Sequence, residues 1–327
     1  MATYKRQRYL LMATDPVHIG TGGYRLGRVD NSIVREPGTR VPKIPGTSLH
    51  GAVRSYAAKL YETPEAAGQN QDKVNNPDEN PICYTFGYLK KEKSGDEEKT
   101  SAYSGVVNIF DAQVLLFPVH SMAGPVWVST VGRLRGAGFS IGDVPGNWDT
   151  GAALLTWDRQ DALNLGWLMV NVAGQVAVTA PDKWNDEERW KAVANHIVLV
   201  QEALFSQVVN SNLEVRTSVA IDPERGAAED KALFTYEALP RATFLTAEVV
   251  LDDYRDVWPL SQETWNQTAK GNVLPGSQTW SGPLEVVKAG LRMVEWLGVG
   301  GMGTRGFGRM AIVGEPLEQA YGEEVWQ

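Results

Sequence analysis

Apolar residues crowd the stretch from Tyr9 to Val17 and predict an opening strand that stops at Pro16. A glycine-rich turn, His18-Ile-Gly-Thr-Gly-Gly23, follows, and a charged loop runs from Arg25 to Arg40. Pro45-Gly46-Thr47-Ser48 punctuates the chain. Beyond it apolar residues recur three and four apart, at Leu49, Val53, Tyr56 and Leu60, which predicts a helix with Thr47 or Ser48 as its N-cap. The stretch 64–104 is rich in Asn, Asp, Glu, Lys and Gly, centred on Lys90-Lys-Glu-Lys-Ser-Gly-Asp-Glu-Glu-Lys99, and reads as a mobile surface loop.

The second half is more regular. Val106 to Val119 is strongly β-like, and Val126 to Val131 is placed to pair with it. A polar stretch bearing Gly, Pro and Trp, Arg133 to Asp161, is expected to be irregular, and Val170 to Val178 is a further strand. Trp184 to Phe205 predicts one helix, with Asp186, Glu187 and Glu188 favourably placed in its first turn. The polar segment Val215 to Lys231 has a hairpin-like centre, Asp222-Pro-Glu-Arg-Gly226. Phe244 to Leu251 is a strand, Leu284 to Leu297 a helix and Met310 to Val313 a short final strand. Strand–helix–strand segments broken by long insertions, with no linker or repeat, predict one elaborated α+β domain over 1–327.

Composition narrows the function. A chain of 327 residues with 43% hydrophobic content can bury one large or two modest cores. One cysteine, Cys83, excludes a disulfide framework and a cysteine zinc cluster, and four scattered histidines show no metal-ligand spacing. No stretch approaches the roughly 20 apolar residues of a membrane helix, and the apolar run after the basic start is too short for a secretory signal. A cytoplasmic, reduced protein is expected. The net charge of −8 hides an asymmetry: the first sixty residues hold ten basic and three acidic side chains, +7, which leaves −15 on the rest. A basic face on an acidic body suits a protein that grips a nucleic-acid backbone in one groove, although an ordinary solvated surface would look the same.

Candidate chemistry concentrates near the C-terminus in Gly298-Val-Gly-Gly-Met-Gly-Thr-Arg-Gly-Phe-Gly-Arg309, between the last helix and the last strand. Six glycines remove side chains and permit positive φ, so backbone amides of Gly301, Gly303 and Gly306 can approach a polyanion, with Arg305 and Arg309 beside them. The spacing is not that of a P-loop, since Phe307-Gly308 stands where Lys-Ser/Thr is required. Nor is it a dinucleotide fingerprint, which runs from strand into helix.

Five segments in this order resemble the CRISPR-associated RAMP family: Pro16-Val-His-Ile-Gly-Thr-Gly22 with Asp30, Lys43-Ile-Pro-Gly-Thr-Ser-Leu-His-Gly-Ala-Val-Arg54, Asp111-Ala-Gln-Val-Leu-Leu-Phe-Pro-Val119, Leu233-Phe-Thr-Tyr-Glu-Ala-Leu-Pro240 and the glycine-rich run. Within it the chain is most similar to backbone subunits of type III-B effectors, the Cmr complex, and shares its N-terminal motifs with the type III-A and III-D groups. The resemblance spans Tyr9 to about Val313, less clearly over 64–104 and 133–161.

That resemblance implies a ferredoxin-like or RRM-like palm with a protruding β-hairpin thumb, about 213–233, carrying Ile221, Asp222 and Arg225. It also implies copies stacked along a CRISPR guide RNA with other effector subunits, and a metal-dependent endoribonuclease acting on complementary target RNA. Asp30 matches the family's catalytic aspartate and would hold a hydrated Mg²⁺ or act as base. His18 matches a motif histidine able to serve as acid/base or RNA contact, and Glu237 would reach the same site from the neighbouring subunit or brace the thumb. Lys43, Ser48 and Arg54 fit guide-phosphate binding. A non-catalytic guide-binding scaffold of the III-A or III-D kind is the competing reading, and a free-standing nucleotide-binding enzyme is disfavoured by the failed P-loop spacing.

Overall fold

The computed structural model describes residues 3–22, 29–68, 73–94, 97–258, 280–323 and 326. The chain opens with β1 (Thr3–Ala13), passes through β2 (Lys43–Ile44) into α1 (Gly46–Leu60), and reaches α2 (Pro81–Phe86). A ribbon of β3 (Gly87–Ser94) and β4 (Glu97–Ser104) precedes β5 (Val107–Ile109), β6 (Ala112–Ser121) and β7 (Gly124–Ser129). Next come α3 (Val131–Gly136), β8 (Ser140–Ile141), β9 (Ala152–Leu155), β10 (Leu163–Leu165), β11 (Leu168–Gln175) and β12 (Val178–Thr179). Helices α4 (Asp182–Asn185) and α5 (Glu188–Ala194) lead to β13 (Ile197–Val200) and α6 (Glu202–Ser211). A second ribbon, β14 (Glu214–Asp222) and β15 (Ala227–Ala238), is followed by β16 (Phe244–Asp253), α7 (Pro283–Leu297), β17 (Met310–Ile312) and β18 (Leu317–Ala320).

The order β17-β1-β16-β6 is antiparallel throughout, with α1 between β1 and β6 and α7 between β16 and β17. This is the ferredoxin-like βαββαβ arrangement, and β7 to β15 are inserted between its second and third strands. The sheet continues past β6 through β7, β13, β9, β11 and β10. Tyr9 and Leu11 of β1 join Leu49 and Val53 of α1 and Val287 and Leu291 of α7 in one core, whereas Leu10 enters a second core with Trp184, Trp190 and Phe139. Burial on both faces explains why β1 reads as a continuous apolar run instead of alternating. β16 alternates as a half-open strand should, with Leu245, Ala247, Val249 and Leu251 inward.

Gly290 is where the two long helices meet. A Cβ there would lie 2.5 Å from the carbonyl oxygen of Val53. Only a residue without a side chain admits this approach. No helix among the described residues is long and apolar enough to cross a membrane.

Several sequence expectations need correction. Trp184 to Phe205 is not one helix: α5 ends before β13, whose Ile197-Val-Leu-Val200 is buried on every side and β-branched, so sheet burial overrides the helical reading. The supposedly irregular 133–161 contains α3 and the fully buried β9. Nor is 64–104 a plain surface loop. Helix α2 is buried throughout, capped by Asn80 accepting from the amides of Ile82 and Cys83, and β3–β4 is a paired ribbon. Burial pushes the Cys83 thiol up to about 11, so the lone cysteine packs and does not react.

Arg54 holds this insertion down. Its guanidinium is buried and donates to the carbonyls of Ala66 (2.8 Å), Phe86 (3.2 Å) and Gly87 (2.8 Å). Helix α1 starts at Gly46, ahead of the expected cap. Neither Thr47 nor Ser48 caps it; the Gly46 amide donates to Asp111 Oδ1 at 2.7 Å, a carboxylate supplied from far along the chain.

Two outcomes follow. Arg54→Met strands three buried carbonyls and should lower unfolding free energy by about 3 kcal/mol, with limited proteolysis shifted toward 87–104; a wild-type melting curve and digestion pattern would exclude the anchoring role. Gly290→Ala should cost about 1–3 kcal/mol by overpacking α1 against α7, read from chemical denaturation midpoints.

Candidate functional site

The site is organised by the outer edge of β15. One edge pairs with β14, in register Val215↔Glu237 and Thr217↔Thr235. The other edge has open backbone groups that need partners, and the segments after β1 supply them. Val17 and Leu239 exchange amide–carbonyl bonds at 2.9 Å in both directions. Asn31 N–H donates to Thr235 O (3.0 Å), and Glu237 N–H donates to Asn31 O (3.2 Å). Residues 30–31 therefore lie beside the root of the ribbon, tied to it residue by residue.

Asp30 is clamped by one side chain. Its amide donates to Thr235 Oγ1 at 3.1 Å, while its Oδ2 accepts from the Thr235 amide at 2.7 Å and the Thr235 hydroxyl at 2.9 Å. The Thr235 amide, then its hydroxyl, hold the Asp30 carboxyl below the usual carboxylate range, so it is ionised at neutral pH. The side chain is exposed, and Oδ1 has no protein partner among the described residues. Arg25 and Arg28, the basic residues that precede Asp30 in the charged loop, lie outside the described residues.

Glu237 is placed differently from expectation. Arg35 grips both its oxygens, Nη1–Oε1 at 2.9 Å and Nη2–Oε2 at 2.7 Å, and the Ile33 amide donates to Oε1 at 3.1 Å. Arg35 also donates to Asn210 Oδ1 of α6 at 2.8 Å. With three hydrogen bonds on its carboxylate and the side chain largely buried, Glu237 braces the ribbon, and within one subunit it is not free to complete the site. His18 likewise turns inward. Its Nδ1 donates to the Glu237 carbonyl at 2.6 Å, its ring is buried edge-on to Tyr236, and its own carbonyl accepts from the Gly301 amide at 3.0 Å. The imidazole joins the ribbon to the glycine-rich run and is not exposed for acid/base work.

That run is folded tightly against the 16–19 segment. The amide of Gly308 donates to Pro16 O (2.8 Å) and that of Val299 to Gly308 O (2.9 Å). At Gly300, φ is +88° and a Cβ would meet Ile19 Cδ1 at 2.4 Å and His18 O at 2.5 Å, so glycine is obligatory there. The outer side, Gly301, Gly303, Thr304, Arg305 and Gly306, faces solvent. Phe307 turns inward to pack with Tyr236, Phe234 and Met302. Arg305 lies over Phe234 at 5.8 Å and Arg216 over Phe307 at 4.7 Å.

The remaining basic candidates are divided by their partners. Lys43 bridges Glu36 (2.9 Å) and Asp111 (2.6 Å), so its charge is already compensated, and it is no longer a free phosphate contact. Arg54 is spent on buried carbonyls, as described above, and is corrected to a structural role. Ser48 sits half-buried in the first turn of α1. Arg309 is exposed but paired with Asp15. Among these basic candidates Arg305 is exposed and has no carboxylate partner among the described residues.

The ribbon itself turns at 223–226, where Asp222 accepts from the Glu224 amide (2.9 Å) and pairs with Arg225 (2.6 Å). Val219, Ile221 and Leu233 are 41%, 55% and 64% exposed, an apolar flank left uncovered among the described residues. Sequence reasoning missed Thr235, Arg35 and Phe307. The alternation in Phe234-Thr-Tyr-Glu237 was the available signal: even positions aromatic and packed, odd positions polar and bonded to the neighbouring loop.

Comparison with known proteins agrees with this geometry. Residues 10–311 match the sequence model of the RAMP superfamily. The CRISPR system Cmr endoribonuclease Cmr4 of Pyrococcus furiosus is 27% identical over 257 residues, covering 74% of this chain and 80% of that protein. A chain of the cryo-EM structure of type III-B Cmr-beta bound to cognate target RNA is similar in fold, with TM-score 0.58 at 14% identity over 94% of this chain and 96% of its own. The crystal structure of oligomeric Cmr4 from Pyrococcus furiosus gives TM-score 0.52 at 19% identity over 98% and 99%. With the ferredoxin-like palm in place and the match running from β1 into β17, the chain belongs to the RAMP superfamily.

Proposed function

We propose that this protein is a guide-RNA-binding backbone subunit of a type III CRISPR effector, stacked in several copies, that cleaves complementary RNA beside the β14–β15 ribbon. The observation that carries this reading is Asp30: an exposed, ionised carboxylate with one oxygen free, fixed at the ribbon root. The endoribonuclease relative and the RNA-bound neighbour of the same fold support it. The exposed backbone from Gly301 to Gly306, with Arg305, is the surface that receives the guide phosphates.

RNA brings its own nucleophile. The 2′-oxygen attacks the adjacent phosphorus and gives up its proton, the P–O5′ bond breaks, and the 5′-oxygen takes up a proton. A subunit that splays one nucleotide supplies in-line geometry for this step, and Val219, Ile221 and Leu233 form the apolar wedge that displaces it. The lowered proton affinity of Asp30 makes it a poor general base and suits it to holding positive charge. Asp30 would hold a hydrated Mg²⁺ through its open carboxylate oxygen, and the ion would neutralise charge building on the phosphate. Of the three catalytic candidates His18 and Glu237 are engaged and Asp30 alone keeps an oxygen open among the described residues, which is the observation that keeps a purely scaffolding role, of the III-A or III-D kind, as the second reading.

In an assembled complex with labelled target and Mg²⁺, Asp30→Ala should retain guide binding and lose about a hundredfold or more in cleavage rate, and a 2′-deoxy nucleotide at the cut position should stop the reaction independently. Tight guide binding with no cleavage by the native protein would establish the scaffold instead. Separately, Arg305→Ala should weaken RNA binding and flatten its salt dependence by about one counterion, whereas Lys43→Ala should leave that slope unchanged because Glu36 and Asp111 already balance its charge. Equal slopes for the native protein and Arg305→Ala would move the guide groove elsewhere.

A further inference from the structure

We infer that Thr235 is a positioning residue for cleavage, and that through it the ribbon that displaces a nucleotide also aims the carboxylate that cuts beside it. The inference rests on the proposed role of Asp30. Three hydrogen bonds between the same two residues define the clamp, two from the Thr235 hydroxyl and one from its amide. The hydroxyl accepts from the Asp30 amide and donates to Oδ2, so it fixes backbone and side chain of Asp30 together. No other described side chain bonds to the Asp30 carboxylate.

The spacing along β15 gives the clamp its meaning. Leu233, the exposed apolar residue paired across the ribbon with Val219, stands two positions before Thr235. Two residues of a strand cover about 7 Å, so wedge and carboxylate share one rigid segment. The neighbouring side chains, Phe234 and Tyr236, face the opposite way and pack with Phe307, which pins the same segment to the glycine-rich run. Among the described side chains only that of Thr235 bonds to the Asp30 carboxylate, so strand β15 supplies its rigidity.

The test uses Thr235→Val and Thr235→Ser in the assembled complex with guide, Mg²⁺ and a labelled complementary RNA. Valine keeps the shape and the amide bond but removes both hydroxyl bonds; serine keeps all three. Thr235→Val should bind guide normally, cleave about tenfold or more slowly, and exchange the Asp30 amide hydrogen faster, because that amide loses its acceptor. Thr235→Ser should restore rate and exchange protection. Wild-type rate and exchange in Thr235→Val would overturn the inference, and so would equal slowing by both variants with exchange unmoved, the pattern of a merely structural residue. Asp30→Ala, run alongside, separates the two claims: if it cuts like the native protein, the role of Asp30 itself has failed and the clamp has nothing to aim. If Asp30→Ala is inactive while Thr235→Val is fully active, only the positioning role has failed.

Discussion

The pairing of Arg35 with Glu237 is the interaction on which the arrangement around the ribbon depends. Both carboxylate oxygens are engaged, and the arginine reaches onward to Asn210 of α6 while the carboxylate receives the Ile33 amide. Such a largely buried pair gives little net stability compared with apolar packing, yet removing either partner would strand a charge at a cost of about 3–5 kcal/mol. Its value is therefore in specifying one arrangement. It fixes the register of β15 against residues 31–35, and everything bound to that edge inherits the register.

Behind this root stands a palm whose central strand is buried on both faces. The ferredoxin-like core needs only four strands and two helices; β7, β13, β9, β11 and β10 extend the sheet past β6, and the β3–β4 and β14–β15 ribbons are separate pairs. They are held by ordinary means: a second hydrophobic core around Trp184 and Trp190, and the Arg54 guanidinium spread over three carbonyls of the 64–104 insertion. Part of the charge in the basic N-terminal sixty residues is used inside the molecule. Arg8 pairs with Glu248, Arg35 with Glu237 and Lys43 with two carboxylates, so the sequence-level excess overstates the positive surface offered to a polyanion.

The palm was legible in the sequence because its elements repeat a clear period: the helix at Leu49, Val53, Tyr56 and Leu60, the helix from Leu284, and the alternating strand from Phe244. The ribbon was legible from its turn, Asp222 to Gly226. β13 was not, because four apolar residues between two helical stretches look like more helix until a neighbouring strand claims their backbone. The basic candidates were misread for a related reason. Sequence shows that Lys43, Arg54 and Glu237 are charged, but their partners, Asp111, Phe86 and Arg35, lie 68, 32 and 202 positions away. Asp30 and the glycine-rich run were recognisable as motifs; the hydroxyl that fixes Asp30 was not, since a threonine in a β-strand ordinarily needs no explanation.

The ribbon's proportions also set how errors of position are shared along it. β14 runs nine residues out from the palm, so its tip stands about 30 Å from its root. Phe234, Tyr236 and Phe307 make a short pivot at that root, and Asp30 is fastened beside the pivot instead of near the tip. A tilt of a few degrees that swings the tip by 2–3 Å, on the order of ten per cent of that length, scarcely displaces the carboxylate. On the proposed function, the long arm can give way to a crooked duplex while the carboxylate at its root stays in place.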